Sequence, residues 1–127
     1  MIRAFNVHTG EELWRFNSLP VEGGLGSETW EEGSLDTAGG ANNWTGMTLD
    51  EERAMLFVPT GSATPDFYGA TRTGDNLFAN SLIALDARTG AYHWHYQTVR
   101  HDLWDRDLPS PPTLVKLERD GILIDGV

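Results

Sequence analysis

The chain has 127 residues, with 39% apolar and 22% charged content, a foldable composition sized for one ordinary domain. Nineteen acidic residues against nine basic ones give a formal net charge of −10, which repels phosphate backbones and anionic membrane surfaces and argues against nucleic acid as a partner. Cysteine is absent, excluding disulfides and thiolate metal sites, and no apolar run approaches the ~20 residues that cross a bilayer.

Met1-Ile2-Arg3-Ala4-Phe5 opens directly into strand-like sequence with no signal peptide before it. Either the protein is cytoplasmic or its start lies upstream and this chain is a fragment. Residues 22–40 lack a clear period and read as a loop. Trp44 to Leu49 is a strand candidate, followed by the turn Asp50-Glu51-Glu52-Arg53 and a compact apolar strand from Met55 to Thr60. Residues 62–80 form a second loop, long for a compact domain, and long ordered loops are often functional. Ser81–Asp86 and Tyr92–Thr98 follow as strands, joined through Arg88-Thr89-Gly90, where Gly90 can take positive φ. Simple alternation puts Tyr92, Trp94 and Tyr96 on one face and His93 and His95 on the solvent-facing one. Thr113–Leu117 and Ile122–Ile124 flank the turn Arg119-Asp120-Gly121, a further hairpin.

One segment recurs 80 residues along. Ala4-Phe5-Asn6-Val7-His8-Thr9-Gly10-Glu11-Glu12-Leu13-Trp14 aligns with Ala84-Leu85-Asp86-Ala87-Arg88-Thr89-Gly90-Ala91-Tyr92-His93-Trp94. The shared pattern is A-x-[DN]-x-x-T-G-x-x-x-W, a hairpin with an aromatic anchor at a fixed place. Self-similarity of this period marks a repeat architecture. Four strands between residues 44 and 98 match the content of one propeller blade. The expected fold is all-β: about one full blade (40–98), the end of one neighbour (1–20) and the start of another (99–127).

The repeat resembles the tryptophan-docking motif of the quinoprotein alcohol dehydrogenase family, whose Trp residues pack between the blades of an eight-bladed β-propeller. Gly39-Gly40-Ala41-Asn42-Asn43-Trp44 is similar to that family's glycine-rich stretch, whose Trp forms the floor under the quinone ring. His101-Asp102-Leu103-Trp104-Asp105-Arg106-Asp107-Leu108-Pro109 resembles the segment bearing its catalytic aspartate. The wording of HDLWDRDLP and TPDFYG resembles the membrane-bound glucose, quinate and shikimate dehydrogenase branch more than the methanol branch. The resemblance implies a fragment of an enzyme dependent on pyrroloquinoline quinone (PQQ). Such an enzyme oxidises a sugar, polyol or alcohol and passes electrons to a quinone or cytochrome. Its parent would be periplasmic, with any membrane anchor lying outside this chain, and the fragment alone would be inactive.

The resemblance makes Asp105 the general base, since alcohol oxidation needs a group to take the hydroxyl proton while hydride leaves carbon. Without it, Asp102, Asp105 and Asp107 read as a solvated acidic loop. Trp44 would stack on the quinone, with Asn43 and Asn42 beside it, and Gly39-Gly40 would permit close backbone approach. Trp14 and Trp94 are packing residues, while Trp30 and Trp104 stay unassigned. If residues 105–107 are extended, Asp105 and Asp107 share a face and can grip a hard cation, calcium or magnesium, with a lanthanide also open. The methanol branch places a metal-ligating Asn where this chain has Ser62, a weaker ligand. Either metal affinity is reduced, or Thr64 or Asp66 takes over. His101 would orient Asp105 or line the substrate entrance, and no third ligand joins His93 and His95 in a zinc site. The rival reading is a non-enzymatic propeller scaffold of the outer-membrane assembly type, which has no reason to hold Trp44 and Asp105 with their flanks.

Overall fold

The computed structural model describes residues 1–127. The chain is nearly all β. Strands β1 (Ile2–Phe5) and β2 (Glu12–Phe16) form an antiparallel hairpin. Strands β3 (Gly39–Gly40) and β6 (Ala63–Thr64) pair with each other. Strands β4 (Thr48–Asp50), β5 (Met55–Pro59), β7 (Ser81–Asp86) and β8 (Tyr92–Gln97) make a four-stranded sheet in the order β4-β5-β7-β8. A last hairpin joins β9 (Val115–Arg119) to β10 (Ile122–Gly126). Helix is confined to a 3-10 turn at Ser27–Thr29 and one α turn, α1, at Ser34–Thr37. A four-stranded antiparallel sheet flanked by two hairpins is the arrangement of a partial β-propeller.

The sheet carries its core on the face that meets the N-terminal hairpin. Ile2, Val58, Leu77, Phe78, Ile83 and Leu85 are buried together, with Trp14, Phe16, Leu56 and Tyr92 packed around them. Phe78 is the hub, edge-on to Phe16 at 5.2 Å and to His95 at 5.2 Å. A second cluster, Trp30, Ala41, Ala63 and Ala79, sits under residues 22–40. Trp30 Nε1 donates to the Leu77 carbonyl, so the buried Trp30 fastens that excursion to the blade.

Three expectations need correction. The first strand of the sheet begins at Thr48, not Trp44: Asn43 donates to the carbonyls of Gly46 and Pro59, each at 2.8 Å, and holds residues 43–46 as a loop. The alternation predicted for β8 fails because of a β-bulge: Ala84 pairs with Trp94 but Leu85 with Tyr92, leaving His93 unpaired. Tyr92 therefore joins His95 on the core side, its hydroxyl 2.8 Å from His95 Nδ1, while Trp94 packs on Phe57 across the sheet. Half-buried His95 is not a solvent-face residue, and desolvation lowers its pKa. Gly39-Gly40 serves strand pairing, since a Cβ on Gly40 would lie 2.3 Å from the Ser62 carbonyl oxygen.

The bulge is part of the repeat. In the first copy Ala4 pairs with Trp14 and Phe5 with Glu12, leaving Leu13 unpaired. Both turns are built alike: Asn6 Oδ1 accepts the amides of His8 and Thr9, and Asp86 Oδ1 those of Arg88 and Thr89. A left-handed glycine closes each, Gly10 at φ 75° and Gly90 at φ 73°.

Candidate active site

Three loops converge at one edge of the blade: residues 41–47, 60–80 and 99–113. The carboxylate of Asp107 gathers them. Its Oδ2 accepts Trp44 Nε1 at 2.7 Å and its Oδ1 accepts the Ser62 amide at 2.6 Å. Gly61 makes this seat, since a Cβ there would lie 2.6 Å from Asp107 Oδ1. Trp44 is thereby held in orientation while 60% exposed, its flat face free of other aromatic rings. That disposition suits an indole offered to a planar ligand. Asn42 is exposed and its carbonyl accepts the Gly61 amide, whereas Asn43 spends its amide group on the Gly46 and Pro59 carbonyls.

Asp105 is exposed and accepts no hydrogen bond, unlike Asp102 and Asp107 on either side. Its backbone is left-handed, φ 56°, so residues 105–107 are not extended and the shared-face argument for Asp105 and Asp107 falls. The charges still couple. The carboxylate of Asp107 raises the Asp105 pKa, followed by partial desolvation and by Asp66 and Asp102. A carboxylate with raised proton affinity and no donor on it is suited to receive a proton.

Beneath these groups lies a buried polar network that the sequence reading missed. Asp102 is 3% exposed, and Ser62 Oγ donates to its Oδ2 at 2.5 Å. Asn80 Nδ2 donates to Ser62 Oγ, to Asp102 Oδ2 and to the Arg106 carbonyl. Arg72, with no exposed surface, donates to the carbonyls of Pro65 and Asp102 and to Asn76 Oδ1. Burial pushes Asp102 up in pKa, yet the hydrogen bonds from Ser62, the Trp104 and Arg106 amides and Asn80 together hold it below the ordinary value. The signal available in the sequence was the isolated Arg72 within a long polar loop.

His101 does not orient Asp105. Its Nδ1 lies 3.0 Å from the Gly74 carbonyl, and its ring covers Gly69, so it fastens the 69–74 segment. Trp104 is exposed on the same loop as Asp105. The residues fit a flat quinone to the extent of Trp44 and its Asp107 anchor. They do not make a metal site by themselves: no group of three or more His, Asp or Glu side chains is placed to hold an ion. Ser62 turns its hydroxyl into the buried network, and the backbone of Thr64 pairs in β6.

A four-stranded antiparallel blade with a hairpin on either side of it in the chain defines the class, a segment of a β-propeller. Comparison with known proteins narrows it. The whole chain, residues 1–127, matches the family model described as the PQQ glucose/ethanol/alcohol dehydrogenase β-propeller domain. The chain is 39% identical over 129 residues to the quinoprotein glucose dehydrogenase of Escherichia coli (strain K12), covering 95% of this chain and 15% of that protein. It is 37% identical over 123 residues to the quinate/shikimate dehydrogenase (quinone) of Acinetobacter baylyi (strain ATCC 33305 / BD413 / ADP1), covering 95% of this chain and 15% of the relative. The crystal structure of quinohemoprotein alcohol dehydrogenase from Comamonas testosteroni superposes with a TM-score of 0.86 at 32% identity, covering 97% of this chain and 20% of that one. This chain belongs to the PQQ-dependent glucose/ethanol/alcohol dehydrogenase β-propeller family, and it spans about 15% of the length of the curated relatives it matches.

Proposed function

We propose that this chain is the cofactor-floor and base-bearing segment of a PQQ-dependent dehydrogenase that oxidises a sugar, polyol or alcohol. Electrons would leave to a quinone or cytochrome acceptor, and the parent protein would be periplasmic. In this reading residues 1–20 end one blade, 40–98 form a full blade and 99–127 begin the next. The observation that carries it is the exposed Trp44 indole pinned by Asp107, with the hydrogen-bond-free Asp105 two residues before that anchor. A scaffold propeller would have no use for this pair.

PQQ, when bound, would supply the acceptor for the hydride, carrying both electrons, that leaves the alcohol carbon. Trp44 supplies a rigid apolar floor that excludes water from one ring face. Asp105 takes the hydroxyl proton, and its carboxylate neighbours raise its proton affinity in the direction a base requires. Asn42, exposed in the same loop as Trp44, would help to hold the quinone. Asp107 positions Trp44 and, with Asp105, presents negative charge that favours a calcium or magnesium ion completed by ligands from other blades. No step is assigned to that ion.

The test is Asp105→Asn in a full-length dehydrogenase carrying this segment. Turnover with a saturating sugar and an artificial acceptor should fall by ~10²–10⁴-fold, the usual contribution of a positioned base, while the quinone absorbance of the purified protein is retained. Near-normal turnover would show that Asp105 is not the base. Lost quinone absorbance would place Asp105 among the cofactor-holding groups instead.

A further inference from the structure

Asp102 has no part in the chemistry above, yet it is the most heavily hydrogen-bonded carboxylate of the acidic loop. Its Oδ1 accepts the Trp104 amide at 3.0 Å and its Oδ2 the Arg106 amide at 2.6 Å. Those are the two amides on either side of Asp105. Asn80, itself fully buried, donates both to Asp102 Oδ2 at 3.2 Å and to the Arg106 carbonyl at 2.9 Å. Ser62 closes the set from the neighbouring loop. Arg72 reaches the Asp102 carbonyl, not its carboxylate, so the charge is stabilised by hydrogen bonds whose geometry is fixed by the loop. Between the clamped amides Asp105 stands at φ 56°, a sparsely populated backbone state for an L-residue. Something must hold it there, and its own side chain accepts no bond that could.

We propose that Asp102, locked by Ser62 and Asn80, is the positioning residue of Asp105: its two carboxylate oxygens clamp the flanking amides and present the Asp105 carboxylate outward in a fixed left-handed conformation. The inference rests on the reading of Asp105 as the base. A misplacement of about 1 Å can cost on the order of 100-fold in rate, so a clamp of this kind has a kinetic signature separate from stability. Asn at position 102 keeps one acceptor and sets an amide donor against a backbone donor, so one of the two flanking amides must let go.

The experiment uses the full-length holoenzyme. Asp102→Asn should lower kcat roughly 10–100-fold with KM and the affinity for added PQQ within about twofold, and should speed amide hydrogen exchange at Trp104 or Arg106 by about tenfold or more. Combined with Asp105→Asn, it should cost nothing further in kcat, because a clamp acts only through the carboxylate it holds. Should Asp102→Asn fail to fold, Ser62→Ala removes one donor from Asp102 and should show the same non-additivity with a smaller loss, roughly 3–10-fold. Unchanged kcat despite faster exchange, or losses that multiply in the double variant, would overturn the inference while leaving the base reading intact. An Asp105→Asn enzyme with normal turnover would remove both, and it would show in the single variant.

Discussion

In the first copy of the repeat, Trp14 lies across Gly90 and donates from Nε1 to the Ala87 carbonyl at 3.1 Å. In the second, Trp94 leans on Phe57 at the mouth of an open cleft of about 400 Å³, lined also by Met55, Leu114 and Val127. The hairpins are otherwise alike in their Asx turns, left-handed glycines and bulges. The glycines differ in the same sense: Gly90 is covered by the Trp14 indole, whereas nothing lies within 4 Å of the Cβ position of Gly10. One motif thus makes both halves of a joint, an indole projecting forward and a glycine turn receiving the indole of the copy before. In this joint the copies differ in whether a neighbour is present to complete it.

The largest consequence concerns the chain by itself. It ends on a hairpin whose Leu117, Ile122 and Leu123 are exposed and leaves Trp94 without a receiving turn. The isolated 127-residue chain is expected to self-associate or unfold without a cooperative transition, since uncovered sheet faces and edges invite association. Analytical ultracentrifugation with a thermal melt checks this, and a monomer with a sharp transition would break the idea that each copy needs its neighbour.

Within a full-length protein the two indoles should become equivalent. Trp14→Ala should destabilise the Ala87–Ala91 turn locally by about 2–3 kcal/mol, the lower range for removing a large packed side chain because Trp14 is only half-buried. Hydrogen exchange at that turn reads the loss. Trp94→Ala should give a similar loss at the turn that receives it. A loss much below 1 kcal/mol would mean that Trp94 stays on Phe57.

The glycines sharpen the same contrast. Gly90→Ala must bear left-handed strain and a Cβ 2.6 Å from Trp14 Cε3, so it should cost more than the ~1–2 kcal/mol of backbone strain alone. Gly10→Ala should cost only that strain in this chain's context. If a full-length protein shows equal costs at both, an indole from a preceding copy covers Gly10 as well.

The smallest effect separates the copies by charge. Asp86 is held below the ordinary aspartate pKa: burial raises it, and the hydrogen bonds from Thr89 and Arg88 outweigh that. A depressed folded pKa contributes stability above the unfolded value that is lost as pH falls through the folded one. Asp86→Asn, which installs the residue that Asn6 already provides, should therefore lower the unfolding midpoint slightly at pH 7, and the difference should shrink as pH falls below the ordinary aspartate range. A difference that does not shrink with falling pH would show that the charge is not what distinguishes the two turns.

The sequence by itself determined the repeat, the hairpins and their turns, because Asx acceptors and left-handed glycines act within four or five residues and need no distant partner. It also marked Trp44 and Asp105, through the words around them. It did not show the β8 bulge, where simple alternation assigns Tyr92 to the wrong face, since a bulge is decided by which residues the adjacent strand offers to pair. Nor did it show that Gly39-Gly40 serves strand pairing or that Ser62 faces inward, because both depend on loops more than 20 residues away. Only the tertiary structure separated three aspartates that look interchangeable in a seven-residue stretch. Asp102 is buried among donors from residues 62 and 80, Asp107 is seated on Gly61 against Trp44, and Asp105 is left free. A carboxylate's role follows from the donors that reach it, and those donors arrive from other loops.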